Sequence, residues 1–109
     1  MTAHPEQVDW EDVLAHYGAL KDDVIKLNSP DTITSDIDPK KIEDNWDKIK
    51  EIIKSVPDYQ TIYNAMKIAG CATTCEEIGV SDELMKDGLK YHPYMRRRLS
   101  LKRLSYMID

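Results

Sequence analysis

Gly70-Cys71-Ala72-Thr73-Thr74-Cys75-Glu76-Glu77-Ile78-Gly79-Val80 packs two chain breaks and one helix start into a single short stretch. Gly70 can end one helix and Gly79 the next, because glycine reaches the left-handed backbone that helix C-caps use. Thr74 with Glu77 three residues later is the capping-box pattern, which supplies partners for the orphan amides of a new helix. The stretch is helix punctuation, with no catalytic nucleophile, metal cage or phosphate loop written into it.

The segments on either side continue the helical theme. Downstream, Ser81 caps a run through Leu84, Met85 and Leu89 that stops near His92-Pro93. Ser100 caps a last turn or two with Leu101, Leu104 and Met107 inward. Upstream, Asp58 starts a helix with an apolar face of Ile62, Tyr63, Met66 and Ala69. Asp38 caps another, with Pro39 at its first position, where a missing amide costs nothing. The buried face of that helix is predicted to be Ile42, Trp46, Ile49, Ile53 and Val56, closed by Pro57. The first helix follows the N-cap Asp9 and sets Trp10, Val13, Leu14, Tyr17, Leu20, Val24 and Leu27 at three- and four-residue steps. Gly18 either breaks or weakens it, and residues 28–38 are turn-rich. No segment sustains a period of two. The expectation is an all-α fold of about five helices in a small bundle. Residues 1–8 form a frayed lead-in and residues 9–109 a single helical domain.

Composition narrows the function classes. The 109 residues are 41% hydrophobic and 32% charged, with a net charge of −5. No apolar run approaches the roughly 20 residues of a membrane span. No signal-peptide pattern opens the chain, so the cytoplasm is the expected location. Residues 1–89 carry 9 Lys and Arg against 19 Asp and Glu, whereas residues 90–109 carry 6 against one. An acidic chain is a poor binder of nucleic acid, since affinity depends on neutralising phosphates. Cys71 and Cys75 lack the second pair of a zinc site and are expected to be half-buried fillers.

Candidate chemistry is sparse. His4, His16 and His92 are scattered, with no second histidine at helical spacing from His16. Acid pairs such as Asp22-Asp23 and Glu76-Glu77 suit helix starts, where the dipole favours them. Neither glycine-rich phosphate motif occurs. The one sharp polar feature is Arg96-Arg97-Arg98 with Lys102 and Arg103. Guanidiniums bind carboxylates and phosphates as a bidentate fork, which makes Arg96, Arg97 and Arg98 candidate anion or interface contacts. The competing reading is a solvated helix end with one arginine paired to the acidic body. A helix-turn-helix across Thr74–Ile78 and the Ser81 helix is also open, although its first helix is barely over one turn.

Several motifs in order carry a resemblance. Trp10-Glu11 precedes Tyr17-Gly18-Ala19-Leu20, and Asn45-Trp46-Asp47-Lys48-Ile49 lies in the next helix. Ala69-Gly70, Thr73-Thr74 and Glu76-Glu77-Ile78-Gly79 follow, then Leu89-Lys90-Tyr91 leading to Pro93-Tyr94-Met95-Arg96-Arg97-Arg98. From about residue 9 onward the chain resembles the C-terminal part of the sn-glycerol-1-phosphate dehydrogenase-like family, relatives of glycerol dehydrogenase and iron-containing alcohol dehydrogenases. The family has Gly-Ala-Pro-Thr-Thr-Pro where this chain has Gly70–Cys75, and Arg-x-Arg-Tyr-Thr where it has Arg96–Ser100. The resemblance implies a helical subdomain of a dehydroquinate synthase-like fold. It also implies a parent that binds NAD(P) on an N-terminal Rossmann-like domain. That parent holds a divalent metal such as zinc through an aspartate and two histidines, and reduces dihydroxyacetone phosphate. The metal-ligand histidines precede the matched region, so no catalytic, cofactor-binding or metal residue carries over to this chain. The expected role is packing or oligomerisation, inactive alone, with a second copy or a missing N-terminal domain as partner. The alternative is a free-standing helical interaction module that uses its basic C-terminal end.

Overall fold

Capping signals decide where the helices begin. The computed structural model describes residues 1–109 and contains no strand, only an isolated bridge between Ala3 and Ile108. Seven α-helices form: α1 (Trp10–Tyr17), α2 (Lys21–Asn28), α3 (Pro39–Asp44), α4 (Trp46–Lys54), α5 (Tyr59–Ile68), α6 (Asp82–Tyr91) and α7 (Leu101–Ser105). Single 3-10 turns cover Gly18–Leu20, Glu76–Ile78 and His92–Tyr94. Asp9, Asp38, Asp58 and Ser100 each accept an amide of the turn they cap, and Ser81 Oγ accepts the Leu84 N–H.

Two expected helices are each split, which turns five into seven. Gly18 adopts φ +52 and ends α1, so Leu20 leaves the apolar face of Val13 and Val24 and is exposed. α3 ends at Asn45, whose backbone N–H donates to the Lys41 and Glu43 carbonyls while its side-chain amide adds a second hydrogen bond to the Lys41 carbonyl. The stop after α5 is a full Schellman motif. Gly70 sits at φ +74, its N–H donates to the Lys67 carbonyl, and the Cys71 N–H donates to Met66. Thr74 forms half of its box. Its Oγ1 accepts the Glu77 N–H at 3.3 Å, but the Glu77 carboxylate reaches the Thr73 N–H rather than that of Thr74.

The chain divides into two compact units. The first joins residues 1–45 to residues 90–109. Its core is Val13, Val24, Tyr91 and Tyr94, with Val8, Trp10, Leu14, Tyr17 and Tyr106 packed against it. Trp10 meets Tyr94 edge-on at 5.5 Å. Residues 1–8, expected to fray, are held in this unit. The His4 N–H donates to the Met107 carbonyl, the Asp109 N–H to Thr2, and the Ala3 N–H to the Glu43 carboxylate. Met107 is fully buried, while Leu101, expected inward, is exposed.

The second unit is residues 46–89. It contains α4, α5 and most of α6, and none of its residues is buried. The predicted buried face of α4 is therefore only partly covered: Trp46 and Ile49 are half-buried, Ile53 and Val56 are exposed, and Ile42, on α3, is the one member of that set that is buried. Cys71 is likewise exposed, and both cysteines are free thiols.

Candidate functional site

The basic C-terminal segment resolves into two kinds of arginine. Arg103, placed by the first turn of α7, is fully buried. Its Nε and Nη2 donate to the two carboxylate oxygens of Glu6 at 2.7 and 3.1 Å, a bidentate fork. Its Nη1 donates to Asn28 Oδ1 at 3.0 Å and to the Pro93 carbonyl at 3.3 Å, and its guanidinium lies over the Tyr94 ring. Asn28 in turn donates to the carbonyls of Val24 and Tyr94, and Thr34 Oγ1 donates to Glu6. Every partner is internal, so Arg103 is a structural tie with no donor directed at a ligand. Burial pushes the Tyr94 hydroxyl up to about 12, with Tyr106 and Glu6 adding to the effect.

Arg96, Arg97 and Arg98 are exposed and line one concavity of about 550 Å³ with Leu27, His92, Pro93, Met95 and Ser100. Arg97 Nη1 donates to the carbonyls of Leu27 and Asp31, fixing the segment to the end of α2 and the loop beyond. Arg96 and Arg98 form no ion pair. Among the three sequence candidates, Arg97 is thus an anchor and the other two offer open guanidiniums.

A second polar cluster in the same unit escaped sequence reasoning. Lys90 Nζ and the Tyr91 hydroxyl both reach Asp12 Oδ2, at 2.8 and 2.9 Å. The Tyr17 hydroxyl donates to the Tyr91 carbonyl at 2.6 Å, and the His16 ring stacks on Tyr91 at 3.8 Å. The Lys90 and Tyr91 hydrogen bonds hold the Asp12 carboxyl below its ordinary range, and the Asp12 bond holds Lys90 above its own. Both groups stay charged at neutral pH, which suits a surface tie better than proton transfer.

The donor groups do not fit the metal that the resemblance implies for a parent enzyme. His4 pairs with Asp109 at 3.4 Å, His16 is stacked on Tyr91, and His92 sits in the 3-10 turn after α6. No group of three or more His, Cys, Asp or Glu side chains is placed to hold a metal ion.

In residues 46–89 the feature is apolar. Ile52 on α4 is 68% exposed and Ile68 on α5 is 89% exposed, and Ile62 and Met66, one turn apart on another side of α5, are also open. Leu84, Met85 and Leu89 on α6 are exposed too. Their helical spacing gives amphipathic helices whose apolar stripes are covered in part, at Trp46, Ile49 and Tyr63, and fully buried nowhere, which leaves an apolar surface of the kind that marks an interaction face. Comparison with protein-family models, curated proteins and solved structures finds nothing that matches this chain.

Proposed function

We propose that this chain serves as the C-terminal helical part of an NAD(P)-dependent sn-glycerol-1-phosphate dehydrogenase-like protein, with a packing or oligomerisation role and no catalysis of its own. The observation that carries the reading is the uncovered apolar side of residues 46–89, where no residue is buried. A helical unit with amphipathic helices and no core of its own has the form of a piece that is completed by something else. The ordered motifs from Trp10-Glu11 to Arg96-Arg98 support the choice of family.

Fragment complementation tests it. The N-terminal part of a glycerol-1-phosphate dehydrogenase, cut before the segment this chain resembles, is mixed with the chain. Dihydroxyacetone phosphate reduction is then followed through NAD(P)H absorbance with zinc present. The expected outcome is a stable complex with activity that neither piece shows alone. Lack of association, or reductase activity from this chain by itself, overturns the reading.

The second reading, an interaction module working through the basic end, is favoured by one observation: Arg96 and Arg98 are exposed without ion pairs. Its helix-turn-helix form loses support, because the would-be first helix is the three-residue 3-10 turn Glu76–Ile78.

A further inference from the structure

The chain exposes 8153 Å² of surface. A monomeric protein of 12.6 kDa exposes about 6,200 Å², and two separate bodies the size of the two units expose roughly 7,500 Å². The excess, between roughly 650 and 1,950 Å², brackets the area of about 800 Å² that a stable interface takes from each partner. Most of the large apolar side chains that stay exposed lie in residues 46–89. On α4 the stripe of Ile49, Ile52, Ile53 and Val56 has a lysine along each edge: Lys48 lies one turn before Ile52, and Lys50 one turn before Ile53. On α6 the stripe of Leu84, Met85 and Leu89 is edged by aspartates instead, with Asp82 one turn before Met85 and Asp87 one turn after Leu84. Asp82 and Asp87 enter no ion pair, and the Lys50–Asp47 pair is exposed and readily exchanged.

We propose that residues 46–89 form the interface of a symmetric homodimer, in which the lysine-edged stripe of α4 in one copy packs on the aspartate-edged stripe of α6 in the other. A two-fold axis makes this contact twice, so the stripes of both helices are covered in both copies. The inference rests on the reading of residues 46–89 as a packing surface and names what covers it. A second copy suits that surface because it carries both complements: charges that border an apolar seam set the choice and orientation of the partner helix. Two copies of a chain with a net charge of −5 repel each other, and pairing lysines with aspartates offsets that repulsion where the surfaces meet. Gly88 lies within the α6 stripe, between Leu84 and Leu89, and a Cβ there would meet nothing of its own chain within 4 Å. Packing inside the chain therefore gives no reason for a glycine in mid-helix, whereas a helix of a second copy crossing close to α6 does.

Sedimentation equilibrium of the full-length chain tests it, with two charge-reversed variants. The chain itself should reach a limiting mass of twice 12.6 kDa. Lys48→Glu with Lys50→Glu gives α4 acidic edges, and Asp82→Lys with Asp87→Lys gives α6 basic ones. Each variant alone sets like charges across both contacts, so its self-association should weaken at least about tenfold. Mixed in equal amounts, the two should form a heterodimer at least as tight as the original, because both contacts then join opposite charges. Far-UV circular dichroism checks that each variant keeps its helices. A chain that stays monomeric to about 200 μM overturns the proposal, as does a mass that grows with concentration without limit. Variants that dimerise undiminished, or a mixture that stays monomeric, do the same. Dimerisation without complementation of the dehydrogenase fragment would strike the family reading alone, and complementation by a strictly monomeric chain would strike the homodimer alone.

Discussion

Residues 1–45 with 90–109 and residues 46–89 are built from the same materials and reach different ends. Both use acid-capped, amphipathic helices. In the first unit the stripes converge on Val13, Val24, Tyr91 and Tyr94, and a buried Arg103–Glu6 pair ties the two ends of the chain together. In the second unit the stripes are at least as strongly patterned, yet no side chain is buried. Amphipathicity marks which side of a helix has to be covered, and leaves open whether the covering surface lies in the same chain. The chain holds two tryptophans, and one falls in each unit, so fluorescence can follow the two separately.

The largest expected effect breaks the first unit. Arg103→Ala strands the Glu6 carboxylate in a buried setting, with a cost of about 3–5 kcal/mol. Urea unfolding read at Trp10, in a Trp46→Phe background, should show the loss, while Trp46 in a Trp10→Phe background should move far less. Equal losses at both reporters would erase the distinction between the units.

A smaller effect sharpens the second unit. Gly70→Ala forces an L-residue into φ +74 at the end of α5, although a Cβ there meets nothing within 4 Å. The cost is therefore conformational alone, about 1–2 kcal/mol. It should appear in the Trp46 transition and in faster amide exchange at Lys67 to Cys71.

The smallest effect is a pH dependence shared by both units. Asp12 is held below the ordinary value of 3.8 by Lys90 and Tyr91, and Asp58 by the Thr61 amide and side chain. A depressed carboxylate contributes stability above its unfolded value and loses it as pH falls through the folded value. Both transitions should soften below about pH 4. Asp58→Asn keeps an N-cap and removes that titration, so it should shrink the acid limb at Trp46, where Asp47, held down by Lys50, still titrates, and leave that at Trp10 unchanged. An unchanged acid limb at Trp46 would show that the cap charge contributes nothing there.

Local signals were the legible part of the sequence. The caps at Asp9, Asp38, Asp58, Ser81 and Ser100 and the stop at Gly70 depend on neighbours within a few residues, and all appear in the structure. Periodicity also placed Val13 and Val24 correctly on the inside. What it could not carry was the outcome of competition beyond one turn. Leu20 and Leu101 satisfy the spacing yet face solvent, because the 3-10 turn after Gly18 and the short α7 rotate them away. Glu6 was illegible for another reason. Its partner Arg103 lies 97 positions away, and nothing local marks a terminal glutamate as buried. The arginine run announced its charge, but not that Arg97 would turn to backbone carbonyls and leave Arg96 and Arg98 open.

The Glu6–Arg103 tie bears on the order in which the chain folds. Loop closure over 97 positions carries an entropy cost that must be met before the contact returns anything. The helices of residues 46–89 need only neighbours in sequence and can form while the ends are still apart. The Val13–Tyr94 core cannot close during synthesis until the segment after α6 has been made. The better-packed unit therefore cannot be complete until residues 90–109 have been made, after the apolar stretch 46–89 that separates its two parts in the sequence.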